Sequence, residues 1–110
     1  MPLRNYIKGR QREHNLKRKL EQAGWLVVRS AGSKGVFDLI AIKDVTLGLQ
    51  IKGAKPSKQE LARIAQAVKG RVIIGLVAIL KGRTWEFYEV DEDGNLNVCR
   101  RLTTLIELPT

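Results

Sequence analysis

VFDLIAIKDVTLGLQIK, residues 36–52, is the stretch from which the rest of the architecture can be built. Residues 36–42 are almost wholly apolar, as expected for a central strand covered on both faces. In residues 46–52, Leu47, Leu49 and Ile51 alternate with Gly48, Gln50 and Lys52. That period of two marks a strand with one apolar face and one different face. Between the two runs, Lys43-Asp44-Val45 suits a three-residue hairpin turn. Such a turn predicts a register: Ile42 against Thr46, Ile40 against Gly48, and Asp38 directly opposite Gln50. A slip of one residue would carry Asp38 and Gln50 to opposite faces.

The flanks supply the other elements. Residues 10–23 (RQREHNLKRKLEQA) are strong helix formers that stop at Gly24, and Leu16, Leu20 and Ala23 fall on one stripe. Residues 25–30 (WLVVRS) read as a strand and residues 31–35 (AGSKG) as a loop. After a break at residues 53–56, Ser57-Lys58-Gln59-Glu60 forms a capping box, in which serine and glutamate satisfy each other's orphan backbone donors. The helix it opens carries Leu61, Ile64, Ala65 and Val68 on one face and ends at Gly70. Residues 71–80 are the most buried strand candidate, and a turn at Lys81-Gly82-Arg83 leads into a strand over 84–90. Asp93-Gly94-Asn95 marks another turn, before a strand over 96–101. This order predicts the α/β class, a mixed central β-sheet flanked by α-helices. A parallel crossover is expected from residues 46–52 through the capped helix to residues 71–80. A length of 110 residues predicts one domain, 1–110.

Charge narrows the function. Twenty Lys and Arg against eleven Asp and Glu give +9, a balance suited to a polyanionic partner such as nucleic acid; a merely solubilising surface is the other reading. The longest apolar run, residues 72–80, is about half of the ~20 residues that a membrane helix needs, so no membrane is expected. The start, Met-Pro-Leu-Arg-Asn, lacks the apolar region of a secretory signal, and a cytoplasmic location is expected. One cysteine, Cys99, and one histidine, His14, exclude a disulfide framework and an ordinary zinc site. No phosphate-cradling glycine motif is present, so no nucleotide cofactor is expected. His14, without a second histidine, reads as an exposed helix residue.

Asp38 is the residue that does not fit its surroundings. It stands between Phe37 and Leu39, where the pattern asks for Val or Ile. A lone buried carboxylate costs several kcal/mol unless a partner or a metal compensates. Alone, it would read as half of a structural ion pair. Opposite Gln50, however, it would place two oxygens where one Mg²⁺ can take both, with Gly48 leaving space beside them. Lys52 shares the face of Gln50. Glu13 falls on the stripe of Leu16, Leu20 and Ala23 and points toward the sheet; the alternative is a helix ion pair with Lys17, worth a few tenths of a kcal/mol.

Arg12-Glu13, then VVRSAGSKGVFDLIAI (residues 27–42), then LQIKGAK (residues 49–55) resemble the PD-(D/E)XK nuclease superfamily. More narrowly, the chain is similar over residues 7–90 to the archaeal-type Holliday junction resolvases, also found in viruses and phages. The resemblance implies a restriction-endonuclease-like fold. It also implies a Mg²⁺-dependent homodimer, with Mn²⁺ as a substitute, that nicks two opposed strands of a four-way DNA junction in the cell, or in the host cell if the source is viral. It makes Asp38 the metal-binding aspartate, Lys52 the catalytic lysine and Glu13 the helix glutamate of the site. Arg29, Ser30 and Ser33 would handle the phosphate backbone, joined by Arg10 and Arg12. The family strand reads Glu-x-Lys, and Gln50-Ile51-Lys52 departs from it.

The expected chemistry is phosphodiester hydrolysis, with the metal on Asp38, Gln50, the backbone carbonyl of Ile51 and Glu13. Lys52 would orient water or neutralise charge on the phosphorane. Lys34 and Lys55 would add salt-sensitive phosphate contacts. Gln50 keeps two other readings open: a related nuclease acting on flaps or ends, and a non-catalytic basic DNA-binding protein. For the homodimer, Trp85 and Phe87 on one face of a late strand, with Ile79, Leu80, Leu105 and Ile106, offer apolar surface; Trp85 also reads as ordinary core.

Overall fold

The first helix, α1, runs over Pro2–Gln22 in a computed structural model that describes residues 2–30 and 35–98. It begins at Pro2 rather than at residue 10, because proline suits a first helical turn and a single glycine, Gly9, costs a helix only ~1 kcal/mol. Its end is a Schellman motif. The Trp25 amide donates to Leu20 O, the Gly24 amide donates to Glu21 O, and Gly24 takes φ +96°. Trp25 and Leu20 are then both buried in one core, the apolar contact that accompanies this motif.

Strands β1 (Leu26–Arg29), β2 (Leu39–Ile42), β3 (Thr46–Lys52), β4 (Ile74–Lys81), β5 (Thr84–Val90) and β6 (Leu96–Val98) form one sheet in sequential order. The pairs are antiparallel except β3 with β4, which are parallel and joined through α2 (Lys58–Val68). Helices on a mixed sheet are the predicted class. The hairpin register is the predicted one as far as the ladder runs, with Ile42 on Thr46 and Ile40 on Gly48. Gly82 at φ +64° lets β4 turn into β5 over two residues.

Two cores lie on the two faces. On one, Leu16 and Leu20 of α1 meet Val27, Leu39, Ala41, Leu47, Leu49, Leu76, Ala78, Trp85 and Phe87. On the other, Ile64 and Ala65 of α2 meet Val77, Ile79 and Val90. Gly75 is required here by proximity: a Cβ on it would stand 2.7 Å from Ile64 Cγ2.

Several expectations are corrected. β2 starts at Leu39, not at residue 36, and it is not covered on both faces. Because α2 packs on β4 and β5, the face of the β1–β2 hairpin away from α1 stays open, with Leu26, Val28 and Ile42 exposed. β4 starts at Ile74 rather than at residue 71, and Val72 is 99% exposed before it. Residues 99–101 of the last predicted strand lie outside the described residues. The apolar surface expected at Trp85, Phe87 and Ile79 is absent. These side chains are 7%, 2% and 5% exposed, because the chain's own two cores take them up. Leu80 is half-buried against the same packing, and Leu105 and Ile106 lie outside the described residues. Among the described residues, no helix is long and apolar enough to cross a membrane.

Candidate functional site

Strand alternation sets the geography. Leu47, Leu49 and Ile51 face the α1 core, so Gly48, Gln50 and Lys52 face the α2 side. Gly48 was expected to leave space beside a metal. Instead the Phe37 ring lies on it, so close that a Cβ at 48 would meet ring carbons at 2.7 Å. Phe37 belongs to the α2-side core, and its ring fills the hollow.

Asp38 does not stand opposite Gln50. The β2–β3 ladder ends at Leu39 on Leu49, yet the Asp38 amide also donates to Leu49 O at 2.8 Å. Asp38 and Leu39 therefore share one partner, as at a β-bulge, and the register shifts by a residue there. The carboxylate then reaches along the freed edge of β3, and its Oδ2 accepts from the Ile51 amide at 2.8 Å. On the other side, the Ser30 amide donates to Asp38 O at 3.0 Å. This explains how a carboxylate is tolerated in an apolar run: it is half-buried and takes the place of the next β2 carbonyl in the ladder. Within a strand, a residue's amide and carbonyl point to the same neighbour. The Ile51 carbonyl therefore faces the side from which Asp38 approaches.

Glu13 points toward the sheet, as its stripe predicts, and pairs with Arg29 of β1. Lys17 instead pairs with Glu21 at 3.1 Å, so the helix ion pair considered for Glu13 does not form. Arg12 lies against Gly53, just past β3, where a Cβ would collide with its guanidinium. The Arg12 guanidinium of α1 thus stands beside the end of the strand that carries Gln50 and Lys52. Arg10, Glu13, His14 and Arg29 line an open cleft of about 780 Å³ on the α1 side. His14 and Lys55 are exposed. Ser33 and Lys34 lie outside the described residues.

Lys52 has a partner that the sequence reading gave only a structural task. Its Nζ donates to Glu60 Oε2 at 2.5 Å, while Glu60 Oε1 accepts from the Ser57 amide at 2.9 Å. The Lys52 ammonium first, and the Ser57 amide second, hold the Glu60 carboxyl below the ordinary glutamate range, against a smaller opposing effect of burial. The available signal was the second oxygen of a capping-box glutamate, which needs a donor of its own.

The structure thus brings Asp38, Ser30, Leu49 and Ile51 together at the β2–β3 fork, with Gln50 and Lys52 alongside on the α2 face. Glu13 and Arg29 meet across the α1 face instead. Among the described residues, no three acidic, histidine or cysteine side chains gather into a ready metal cluster.

The profile of the family described as archaeal Holliday junction resolvase (Hjc) matches residues 4–108. A stretch of 36 residues, 33% of the chain, is 64% identical to the crossover junction endodeoxyribonuclease Hjc of Methanocaldococcus jannaschii. That stretch spans 26% of the relative's own length. Among solved structures, the Hjc of Archaeoglobus fulgidus, a Holliday junction resolvase from an archaeal hyperthermophile, aligns with a TM-score of 0.67 at 21% identity. The alignment covers 87% of this chain and 95% of that one, a likeness of fold.

Proposed function

The chain belongs to the archaeal Holliday junction resolvase (Hjc) family, and from that premise we propose that it is an endodeoxyribonuclease resolving four-way DNA junctions by paired phosphodiester hydrolysis. The observation that carries the reading is the Asp38 carboxylate set on the Ile51 amide at the β2–β3 fork, beside Gln50 and Lys52. The donors there fit a hard divalent cation: a carboxylate, a backbone carbonyl and an amide oxygen are the class that Mg²⁺ and Mn²⁺ take. Asp38, the Ile51 carbonyl and Gln50 would hold the ion, while Glu13, paired with Arg29 on the α1 face, stands apart from this set. A cation bound there supplies charge neutralisation at the phosphate and a more acidic water.

The chain's own groups do the rest. Lys52 places an ammonium where negative charge grows on the phosphorane. Arg10, Arg12, Arg29 and Lys55 grip the phosphate backbone, which reads shape rather than base sequence. Two nicks related by a dyad call for two copies of the site, and hence a two-fold assembly. Trp85, Phe87 and Ile79 do not form its interface, since they are buried within the chain.

The test incubates the protein with a synthetic four-way junction and with linear duplex, each with and without Mg²⁺. Symmetric nicks on the junction alone, and only with Mg²⁺, are the expected outcome. Equal cutting of duplex, or none at all, would overturn the reading. Gln50 favours a second reading, a basic DNA-binding protein without catalysis, because the amide contributes no charge to the cation. Gln50→Glu separates the two. In a nuclease it tightens Mg²⁺ binding, measured by calorimetry, and raises the cutting rate. In a mere binder the junction affinity stays indifferent to Mg²⁺ and the variant still does not cut.

A further inference from the structure

We infer that Glu60, on the first turn of α2, is a positioning residue for Lys52: it holds the ammonium in place for phosphodiester cleavage while it caps the helix. The inference rests on the nuclease reading and extends it to a residue outside the fork. Three observations carry it. Glu60 Oε2 stands 2.5 Å from Lys52 Nζ, and the pair is neither buried nor free, with side-chain exposures of 27% and 28%. The other oxygen, Oε1, accepts from the Ser57 amide at 2.9 Å, and the Ser57 hydroxyl accepts from the Glu60 amide at 3.2 Å. The carboxylate is therefore fixed by the helix end, where backbone amides also favour negative charge. Finally, Lys52 ends β3 and Glu60 opens α2, so the contact closes the loop of residues 53–57 between them.

The chemistry follows from the two side chains. A lysine ammonium rides on a flexible four-carbon stem and has three donors. Glu60 takes one donor and stops the stem from wandering over the α2 face. Two donors remain for a phosphate oxygen and a water, the partners a reacting phosphodiester offers. The capping box thus serves the helix with one oxygen and the site with the other.

Gln also completes a capping box at this position, so Glu60→Gln keeps the helix end and removes only the charge. Ser57→Ala does the reverse. The experiment measures, for wild type and both variants, the single-turnover cutting rate on the junction with saturating protein and Mg²⁺. It also measures junction affinity, thermal melting, and the ¹⁵N signal of the Lys52 ammonium, assigned by its loss in Lys52→Arg. The expected result is that Glu60→Gln lowers the rate by about tenfold to a hundredfold, the scale of losing a pre-organised contact. Affinity stays at the wild-type value, melting falls only slightly with the loss of a partly exposed ion pair, and the slowly exchanging Lys52 signal disappears. Ser57→Ala should lower melting yet keep most of the rate. Wild-type or faster cutting by Glu60→Gln would overturn the role, the faster case making the pair a restraint. So would a rate loss matched by an equal loss in Ser57→Ala, since that follows the helix end alone. A wild-type protein that cuts no junction fails the nuclease reading, and the role with it. That failure is distinguishable, because the Lys52 signal would still report whether Glu60 holds the ammonium.

Discussion

On one face of β3, Leu47, Leu49 and Ile51 enter the dry core under α1; on the other, Gly48 carries a phenyl ring, Gln50 stands half-buried, and half-buried Lys52 pairs with Glu60. Seven residues thus serve two purposes on alternate positions. The apolar face spans β1 to β5 and fixes where β3 lies. The α2 core is smaller and is spread over β4 and β5, which leaves the end of β3 free to carry polar groups that a packed core would not tolerate. Precision at the site is therefore borrowed from the opposite face. Substitutions on the two faces should fail in different ways.

The largest expected effect is at Asp38. Asp38→Asn retains an oxygen for the Ile51 amide, so fold and junction affinity should hold while cutting falls about 10²–10³-fold. Asp38→Ala also leaves that amide without its acceptor and should cost a further ~1–3 kcal/mol of stability. Urea denaturation beside a cutting assay separates the two effects. Equal cutting by Asp38→Asn and wild type would remove Asp38 from the mechanism.

Leu49→Ala is the matching change on the other face. Leu49 is fully buried, and its truncation should cost about 2–5 kcal/mol. At temperatures where the variant is still folded, junction affinity should be nearly normal. Gln50→Ala, one residue away, should move stability little. If denaturation midpoints fell equally for both, the division between the faces would not exist. Gly48→Ala lies between these extremes. Its Cβ would press on the Phe37 ring, an overpacking worth about 1–3 kcal/mol. Phe37→Leu should relieve it, so a double-mutant cycle should show a coupling between the two that additive costs would not.

What could be read from the sequence was what local pattern and turn chemistry specify. The turn at Lys43-Asp44-Val45 set the register, the Ser57–Glu60 box opened α2, and strand 84–90 is β5 as observed. The residues that mislead are those decided by distant partners. Asp38 looked like a mid-strand residue because apolar periodicity cannot reveal a bulge. Arg12 against Gly53 and Glu13 with Arg29 join elements well separated in the chain, while Phe37 over Gly48 and Lys52 with Glu60 are side-chain contacts across a turn or loop that period alone does not specify. Trp85 and Phe87 fitted either a core or an interface, and only the placement of α1 over the sheet settles it. Asp38, Gln50, Lys52 and Glu13 stand out by strand alternation, hairpin register and helix stripe, and the resemblance adds their roles; which of them touch is not accessible from spacing.

The smallest expected effect concerns acid. Glu60 and Glu86 both have carboxyls held below the ordinary range, Glu60 chiefly by Lys52, Glu86 first by the Tyr88 hydroxyl and then by Lys81. A carboxyl lowered by folding adds stability that is present above its ordinary value, about 4.5, and is lost as pH falls through the folded value. Both side chains sit on the α2 side of the sheet, since Glu86 lies between the inward Trp85 and Phe87. They differ in exposure: Glu60 is about a quarter exposed and Glu86 about two-fifths. Salt screens the more exposed pair more strongly. Glu60→Gln should therefore flatten the loss of stability between pH 5 and 3 even at high salt, whereas any flattening by Glu86→Gln should vanish there. Urea midpoints across that pH range, at low and high salt, measure both. If the two variants behaved alike at high salt, the Lys52–Glu60 pair would be an ordinary surface contact rather than one sheltered by α2.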